Sequence, residues 1–259
     1  MRLITWNVNS IRQRLPRLLG VLGRHEPDIV CLQETKVADD AFPLAEVEAL
    51  GYGAATFGQR SYNGVAILAR HPIAEVARGF PGDPVPEEAR VIAATVAGVR
   101  VIDVYVVNGK EVANPAYEVK LGWLDALTRW VSGVEDPNLV VTGDFNVTPT
   151  DLDVHDPAAW AGRNLASDPE RERVRRLLDD GLTDLGRTAA GTAPGPFTFW
   201  DYRAGAFHRG WGLRIDLVLA RPAVAARLRS VTVDRDERKP TAGEGKPSDH
   251  APVIVDLDD

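Results

Sequence analysis

Cysteine is almost missing from this chain: Cys31 is the one thiol among 259 residues, so no intrachain disulfide can form. It sits in the apolar run Ile29-Val30-Cys31-Leu32 and reads as an inert core thiol rather than a nucleophile. Long hydrophobic runs are absent too; none approaches the roughly 20 residues that a membrane-spanning helix requires. The opening Met1-Arg2-Leu3-Ile4-Thr5-Trp6 reads as a strand and not as a signal peptide, so the expected compartment is the cytoplasm, without a membrane partner. An excess of basic charge is also lacking. The net charge of −7 argues against a surface that coats nucleic acid broadly. A local basic cleft stays open, because the cations are 25 Arg against five Lys, and Arg forks phosphate better. Carboxylates committed to a metal also cease to repel DNA once the metal is bound. No repeat, low-complexity tract or linker interrupts the chain. Its length supports one substantial core, and residues 1–259 are expected to form a single domain.

What the sequence does contain is organised around Leu139-Val-Val-Thr-Gly-Asp144-Phe-Asn146-Val-Thr-Pro149. The β-branched run after Pro137-Asn138 reads as a buried strand entered from a turn, ending at Gly143. In extended chain, residues two apart share a side. Asp144 and Asn146 are therefore expected to reach one point at the strand's mouth, with Phe145 turned to the core. A carboxylate and a carboxamide together suit a hard cation, or a water held beside a phosphate. Gly-Asp and Asn-Val are equally ordinary turn chemistry, so the weight of the pair depends on other strand ends.

Several others qualify. The N-terminal strand ends in Asn7, either a turn cap or a polar group delivered to a site. A helix is expected from Leu15, with Pro16 in its first turn, and then a buried strand over 28–32 that runs into Gln33-Glu34-Thr35-Lys36. Strand, helix, strand implies a crossover leaving both strands parallel, which puts Asn7 and Glu34 at the same edge. Short strands follow over 51–57, 64–69, 91–96 and 100–107. The last carries Tyr105, either a buried phenol or a donor to phosphate. Residues 117–131 have helical spacing of Leu121, Leu124, Leu127 and Val131, and 168–180 read as a solvated helix. The aromatic tract 197–203 reads as a strand against the core or as the wall of an apolar site. A buried strand over 213–220 carries Asp216, whose carboxylate needs a partner. His250, ahead of the final strand over 253–257, is the natural one, through a carboxylate–imidazole pair that fixes a tautomer.

Five strand ends thus converge: Asn7, Glu34, Tyr105, Asp144 with Asn146, and Asp249-His250 backed by Asp216. The segments Thr5-Trp-Asn7-Val-Asn9, Leu32-Gln-Glu34-Thr-Lys36, Gly143-Asp144-Phe-Asn146-Val, Leu213-Arg-Ile-Asp216-Leu and Pro247-Ser-Asp249-His250-Ala-Pro resemble the exonuclease III family of DNA-repair nucleases. The likeness runs almost end to end. It includes the tract Phe199-Trp-Asp-Tyr-Arg203, which relatives acting on inositol phosphates or sphingomyelin are not expected to carry. It implies an α/β fold, a four-layer sandwich of two mixed β-sheets flanked by helices, with the site at one rim. It also implies a phosphodiesterase dependent on Mg²⁺ (Mn²⁺ able to substitute), acting as a monomer on double-stranded DNA. Abasic-site and 3′-blocked DNA would be substrates, besides 3′→5′ trimming of duplex ends. By the same resemblance Glu34 is the main metal ligand, with Asn7, Asp144, Asn146, Asp249 and His250 in or near the metal shell. Tyr105, Asp144, Asn146, Asp216 and His250 would be catalytic, and Arg90, Asn108, Phe199, Arg203 and Leu213 would touch substrate. Phe199 and Leu213 match the walls of the family's abasic-sugar pocket, with Trp200 and Trp211 nearby. Val107 departs from the pattern, standing where many relatives have proline. Two other readings remain: a phosphatase or phosphodiesterase acting on a non-DNA substrate, and a non-catalytic DNA-binding module. Whether Asp144 or His250 takes the proton is not decided by the sequence.

Overall fold

The computed structural model describes residues 1–258. Its elements run β1 (Arg2–Asn7), α1 (Ile11–His25), β2 (Ile29–Gln33), α2 (Leu44–Glu48), β3 (Gly53–Phe57), β4 (Val65–Ala69), β5 (Ile73–Arg78), β6 (Val91–Val96) and β7 (Val99–Tyr105). The chain continues through α3 (Pro115–Ser132), β8 (Leu139–Asp144), α4 (Pro157–Trp160), α5 (Asp168–Asp179), β9 (Thr183–Asp184) and α6 (Leu185–Ala190). It ends with β10 (Asp216–Ala220), β11 (Leu228–Val233) and β12 (Val253–Leu257). Two six-stranded sheets result, ordered β11-β12-β1-β2-β4-β3 and β5-β6-β7-β8-β10-β9. Each is mixed, because each contains one helical crossover: α1 makes β1 and β2 parallel, and α3 does the same for β7 and β8.

Strand alternation builds the layers. Leu3, Ile29 and Cys31 on one sheet, and Val101, Val140 and Val218 on the other, fill the space between the sheets. Their neighbours Ile4, Val30 and Leu32 face α1 through Leu18, Val21 and Leu22. Ile102, Val104 and Val141 face α3 and α5 through Trp123, Leu127, Val174 and Leu177. Helix, sheet, sheet, helix is the four-layer sandwich expected from the sequence. Among the described residues no helix is long and apolar enough to cross a membrane.

Three local expectations are corrected. Helix α1 begins at Ile11, so Pro16 lies inside it and not in the first turn. Residues 197–203 do not form a strand. Phe199 makes single bridges to Leu213 and His250, and the chain then turns where Asp201 Oδ1 accepts the Arg203 N–H at 2.8 Å. This Asp side chain replaces the ladder with a local turn. Leu213 makes only isolated bridges, to Val154 and Phe199, so β10 starts at Asp216 with Leu213 outside it.

Candidate active site

All five expected strand ends meet at one rim, and the alternation explains why. On β1, Leu3, Thr5 and Asn7 share the inter-sheet side; on β7, Val101, Asp103 and Tyr105; on β8, Val140, Thr142 and Asp144; on β10, Ala220, Val218 and Asp216. Each series begins apolar deep in the sandwich and has turned polar by the rim. Register then sets Tyr105 beside Asp144, and Asp144 opposite Asp216. The cleft there has a volume of about 490 Å³ and is lined by Glu34, Asp144, Asn146, Asp249 and His250 on its polar side. Asn108, Phe199 and Arg203 also line it, together with Leu165 and Ile215.

Close packing of β8 on β7 shapes this end. Gly143 has φ +136°, and a Cβ there would lie 2.0 Å from the Val104 carbonyl oxygen. Only glycine permits that approach. Beyond it the chain leaves the extended form, and Asn146 has φ +50°. Asp144 and Asn146 therefore share the cleft by a turn and not by the alternation expected: Asp144 Oδ1 accepts the Asn146 N–H at 2.9 Å. The Asn146 amide donates to Val106 O at 3.0 Å, and its Oδ1 accepts from Asn108 Nδ2 at 2.9 Å.

Asn7 lies beneath the cleft, fully buried. Its Nδ2 donates to Glu34 Oε1 and to Asp144 Oδ2, each at 2.9 Å, while its Oδ1 accepts the Asn9 N–H at 2.9 Å. In this arrangement Asn7 ties the two carboxylates together and turns no oxygen to a cation. Glu34 Oε2 meets the Lys36 ammonium at 2.6 Å, Lys36 also donates to Asn9 Oδ1 at 2.6 Å, and Asn9 donates to Asp249 Oδ1 at 3.0 Å. Burial raises the Glu34 carboxyl, but the Lys36 charge and the Asn7 amide outweigh it and hold it below its ordinary value.

On the other side His250 Nδ1 meets Asp216 Oδ2 at 2.9 Å, and its Nε2 lies 3.7 Å from Asp144 Oδ2. Burial would lower the imidazole, but Asp216 and then Asp144 push it up to about 10. Asp144 itself is raised by burial, against the pull of His250, to about 7. Tyr105 is pushed well above the usual phenol range, by burial first and then by the Glu34 and Asp144 charges, so it remains a donor. The Arg90 guanidinium stacks 4.7 Å from the Tyr105 ring centre and donates to Tyr105 O at 3.1 Å.

Two residues expected to touch substrate therefore do not reach the cleft wall. Arg90 is held behind Tyr105. Leu213 is 1% exposed and packs with Val154, Leu165 and Ile215; Ile215 and Leu165, also buried, line the cleft in its place. Phe199 does line the cleft, its ring centre 4.9 Å from that of His250. Arg203 is exposed at the rim and paired with Asp201.

The sequence reading also missed Lys120. Its ammonium is wholly buried against Glu170 and donates to Asn146 O at 2.6 Å, to Asn108 O at 3.2 Å and to Asn164 Oδ1 at 3.2 Å. Glu170 in turn accepts from the N–H groups of Leu165 and Ser167, each at 3.0 Å. One buried pair thus fixes three loops of the cleft wall. A signal existed, since Lys120 falls in phase with Leu124 and Leu127 on the apolar stripe. Lys120→Met strands the Glu170 charge, and the expected loss of stability is about 3–5 kcal/mol. Denaturant unfolding measures it, and adding Glu170→Gln should return part of the loss.

Asp144, Asp216 and His250 offer ligand atoms within 4.8 Å of one another and form a group that could hold a metal ion. The imidazole of His250 already sits between the two aspartates as their cationic partner. The Lys36 ammonium on Glu34 marks a second place in the cleft where a cation meets a carboxylate.

The Endonuclease/Exonuclease/phosphatase family matches residues 4–250. Exodeoxyribonuclease III of Haemophilus influenzae is 33% identical, over 99% of this chain and 100% of its own length. Among solved structures, a 3′ phosphatase from Neisseria bound to a product DNA hairpin superposes with a TM-score of 0.95 at 43% identity, covering 100% of this chain and 99% of that one. An AP endonuclease from Archaeoglobus fulgidus gives 0.93 at 36%, covering 100% of both chains. Sequence over the whole length and geometry at the rim agree: the chain belongs to the endonuclease/exonuclease/phosphatase family, among its exodeoxyribonuclease III-type nucleases.

Proposed function

We propose that this nuclease repairs duplex DNA, trimming 3′→5′, incising beside abasic sites and removing 3′-phosphates. It would do so as one catalytic domain over 1–259, monomeric and cytoplasmic. The observation that carries the reading is the row Asp216–His250–Asp144 facing Glu34 across one cleft. The three relatives, an exodeoxyribonuclease, a 3′ phosphatase and an AP endonuclease, support that range of substrates.

Asp144 is assigned as the base. Its carboxyl titrates near the pH at which a proton can be both taken and returned. His250, kept charged by Asp216, donates to a non-bridging phosphate oxygen, and Tyr105 donates to another. Asn146 and Asn108, linked to each other, hold the water and phosphate in line. Glu34, aided by Asp249, would hold Mg²⁺ or Mn²⁺, with Asn7 orienting the Glu34 carboxylate. Bound there, the ion neutralises charge on the phosphate.

Abasic-site choice is assigned to Phe199 with Leu165 and Ile215, an apolar wall beside the His250 ring. A sugar without a base leaves the duplex with no stacking of its own to lose, and such a wall accepts it. Phe199→Ala should then lower abasic-site incision by on the order of tenfold more than 3′-phosphate removal. Steady-state assays on the two duplexes test this. A parallel fall in both activities, with the fold intact, contradicts the wall.

A further inference from the structure

Directly beneath the rim, the inter-sheet space is polar where a core is usually apolar. Gln33 closes β2, next to Glu34, and Asp103 lies two residues below Tyr105 on β7; both are fully buried. Gln33 Nε2 donates to Asp103 Oδ1 at 2.6 Å, linking one sheet to the other. The same amide donates to Thr5 Oγ1 at 3.0 Å and to Cys31 O at 3.2 Å. Two buried oxygens of this pair then have no partner: Gln33 Oε1 and Asp103 Oδ2. Both are acceptors if Asp103 is ionised, and leaving them unpaired is costly. One proton on Asp103 Oδ2 answers both needs, because an acid and a primary amide can exchange two hydrogen bonds in a closed ring.

We propose that Asp103 is a neutral carboxylic acid ring-paired with the Gln33 carboxamide, and that this pair is a positioning element. It spans the two sheets directly under the strand ends that carry Glu34 and Tyr105. A neutral link also adds no charge beneath Glu34 and Asp144. The surroundings agree: no ion pair joins Asp103 to a cation among the described residues, and the nearby titratable group is the buried thiol of Cys31. Burial pushes the Asp103 carboxyl well above the ordinary carboxylate range, against the weaker pull of Gln33 and the Val104 N–H. Glu34 depends on this support because its own backbone is held at φ +54°, outside the regular strand.

The positioning half of the proposal rests on the roles given to Glu34 and Tyr105; the pairing half does not. The test therefore has one arm without turnover. An infrared difference spectrum of the intact protein against Asp103→Asn, at neutral pH, should show loss of a protonated-carboxyl band and no loss of carboxylate absorption. Loss of carboxylate absorption overturns the pairing. In the second arm, both variants are assayed on duplex DNA carrying a 3′-phosphate. Asp103→Asn can rebuild the ring with its own amide and should keep kcat within about threefold, whereas Asp103→Leu should lower kcat on the order of tenfold to a hundredfold with KM little changed. Equal loss in both variants, or full kcat in Asp103→Leu, overturns the positioning role. Should Asp103→Leu fail to fold, the infrared arm and the rescue by Asp103→Asn decide.

Discussion

Asp144→Asn removes turnover on duplex DNA by on the order of a thousandfold, while DNA affinity stays within about tenfold. The size follows from what the side chain does. Burial raises the Asp144 carboxyl to about 7, which suits it to accept a proton from water, and asparagine cannot accept one. Affinity is spared because the group acts on charge that develops during the reaction and not on the bound ground state. The amide keeps the shape and one of the two contacts: its single oxygen can accept from Asn7 or from the Asn146 N–H, which use separate oxygens of the Asp144 carboxylate. His250→Ala falls by a similar amount, as it deletes the imidazolium between Asp216 and Asp144. Asp216→Ala behaves as a weaker His250 variant, since it frees the ring without removing it. Single-turnover rates and equilibrium binding separate the two effects. A variant losing rate and affinity equally would belong to ground-state contact instead.

Chelation of divalent cations abolishes cleavage, and Mg²⁺ restores it. The physical reason lies in the sign of the rim: Glu34, Asp144, Asp216 and Asp249 converge there and are offset only in part by Lys36 and His250. A phosphate diester brings further negative charge into that space, and two cations already engaged with carboxylates cannot neutralise it as well. With Glu34 holding the metal, the Lys36 ammonium would keep its bond to Asn9 and be available to the incoming phosphate. Because the rim assembles only in the folded chain, Mg²⁺ at about 100 times its Kd should stabilise the protein by roughly 2.7 kcal/mol, seen as a higher Tm. Full activity in chelator would remove the metal from the account.

The legible parts of the chain were those with a strong period. β1, β2 and β8 are apolar runs ending in a polar residue, and the first crossover follows from a helix between such runs. That parallel pairing brought Asn7 to the edge that carries Glu34, as read; the second crossover, which sets Tyr105 beside Asp144, was not read from the sequence. β5 was not, because Ala74 to Arg78 are exposed at a sheet edge and carry no alternation. β11, half-exposed at the edge of the other sheet, failed for the same reason. The tract 197–203 misled because its aromatic density hid the turn at Asp201. Leu213 was a near miss of the same origin: in the irregular chain before β10 it is Ile215, two residues on, that lines the cleft. Networks that join distant segments, such as Lys120 with Asn108, Asn146 and Glu170, leave only a misplaced charge in the sequence. Likewise Asn7 marks a site by its position, but whether its oxygen or its nitrogen faces the carboxylates depends on Asn9, two residues on.

The most direct measurement follows one duplex labelled on the strand that bears the lesion, in Mg²⁺, with wild type and Asp144→Asn side by side. Three forms are compared: an internal abasic site, a 3′-phosphate and an unmodified 3′ end, with a small phosphate monoester as the control. The account predicts incision, phosphate release and 3′→5′ shortening by wild type, all lost together in Asp144→Asn, with the control left intact. Turnover of the small phosphate ester with every duplex untouched would contradict it.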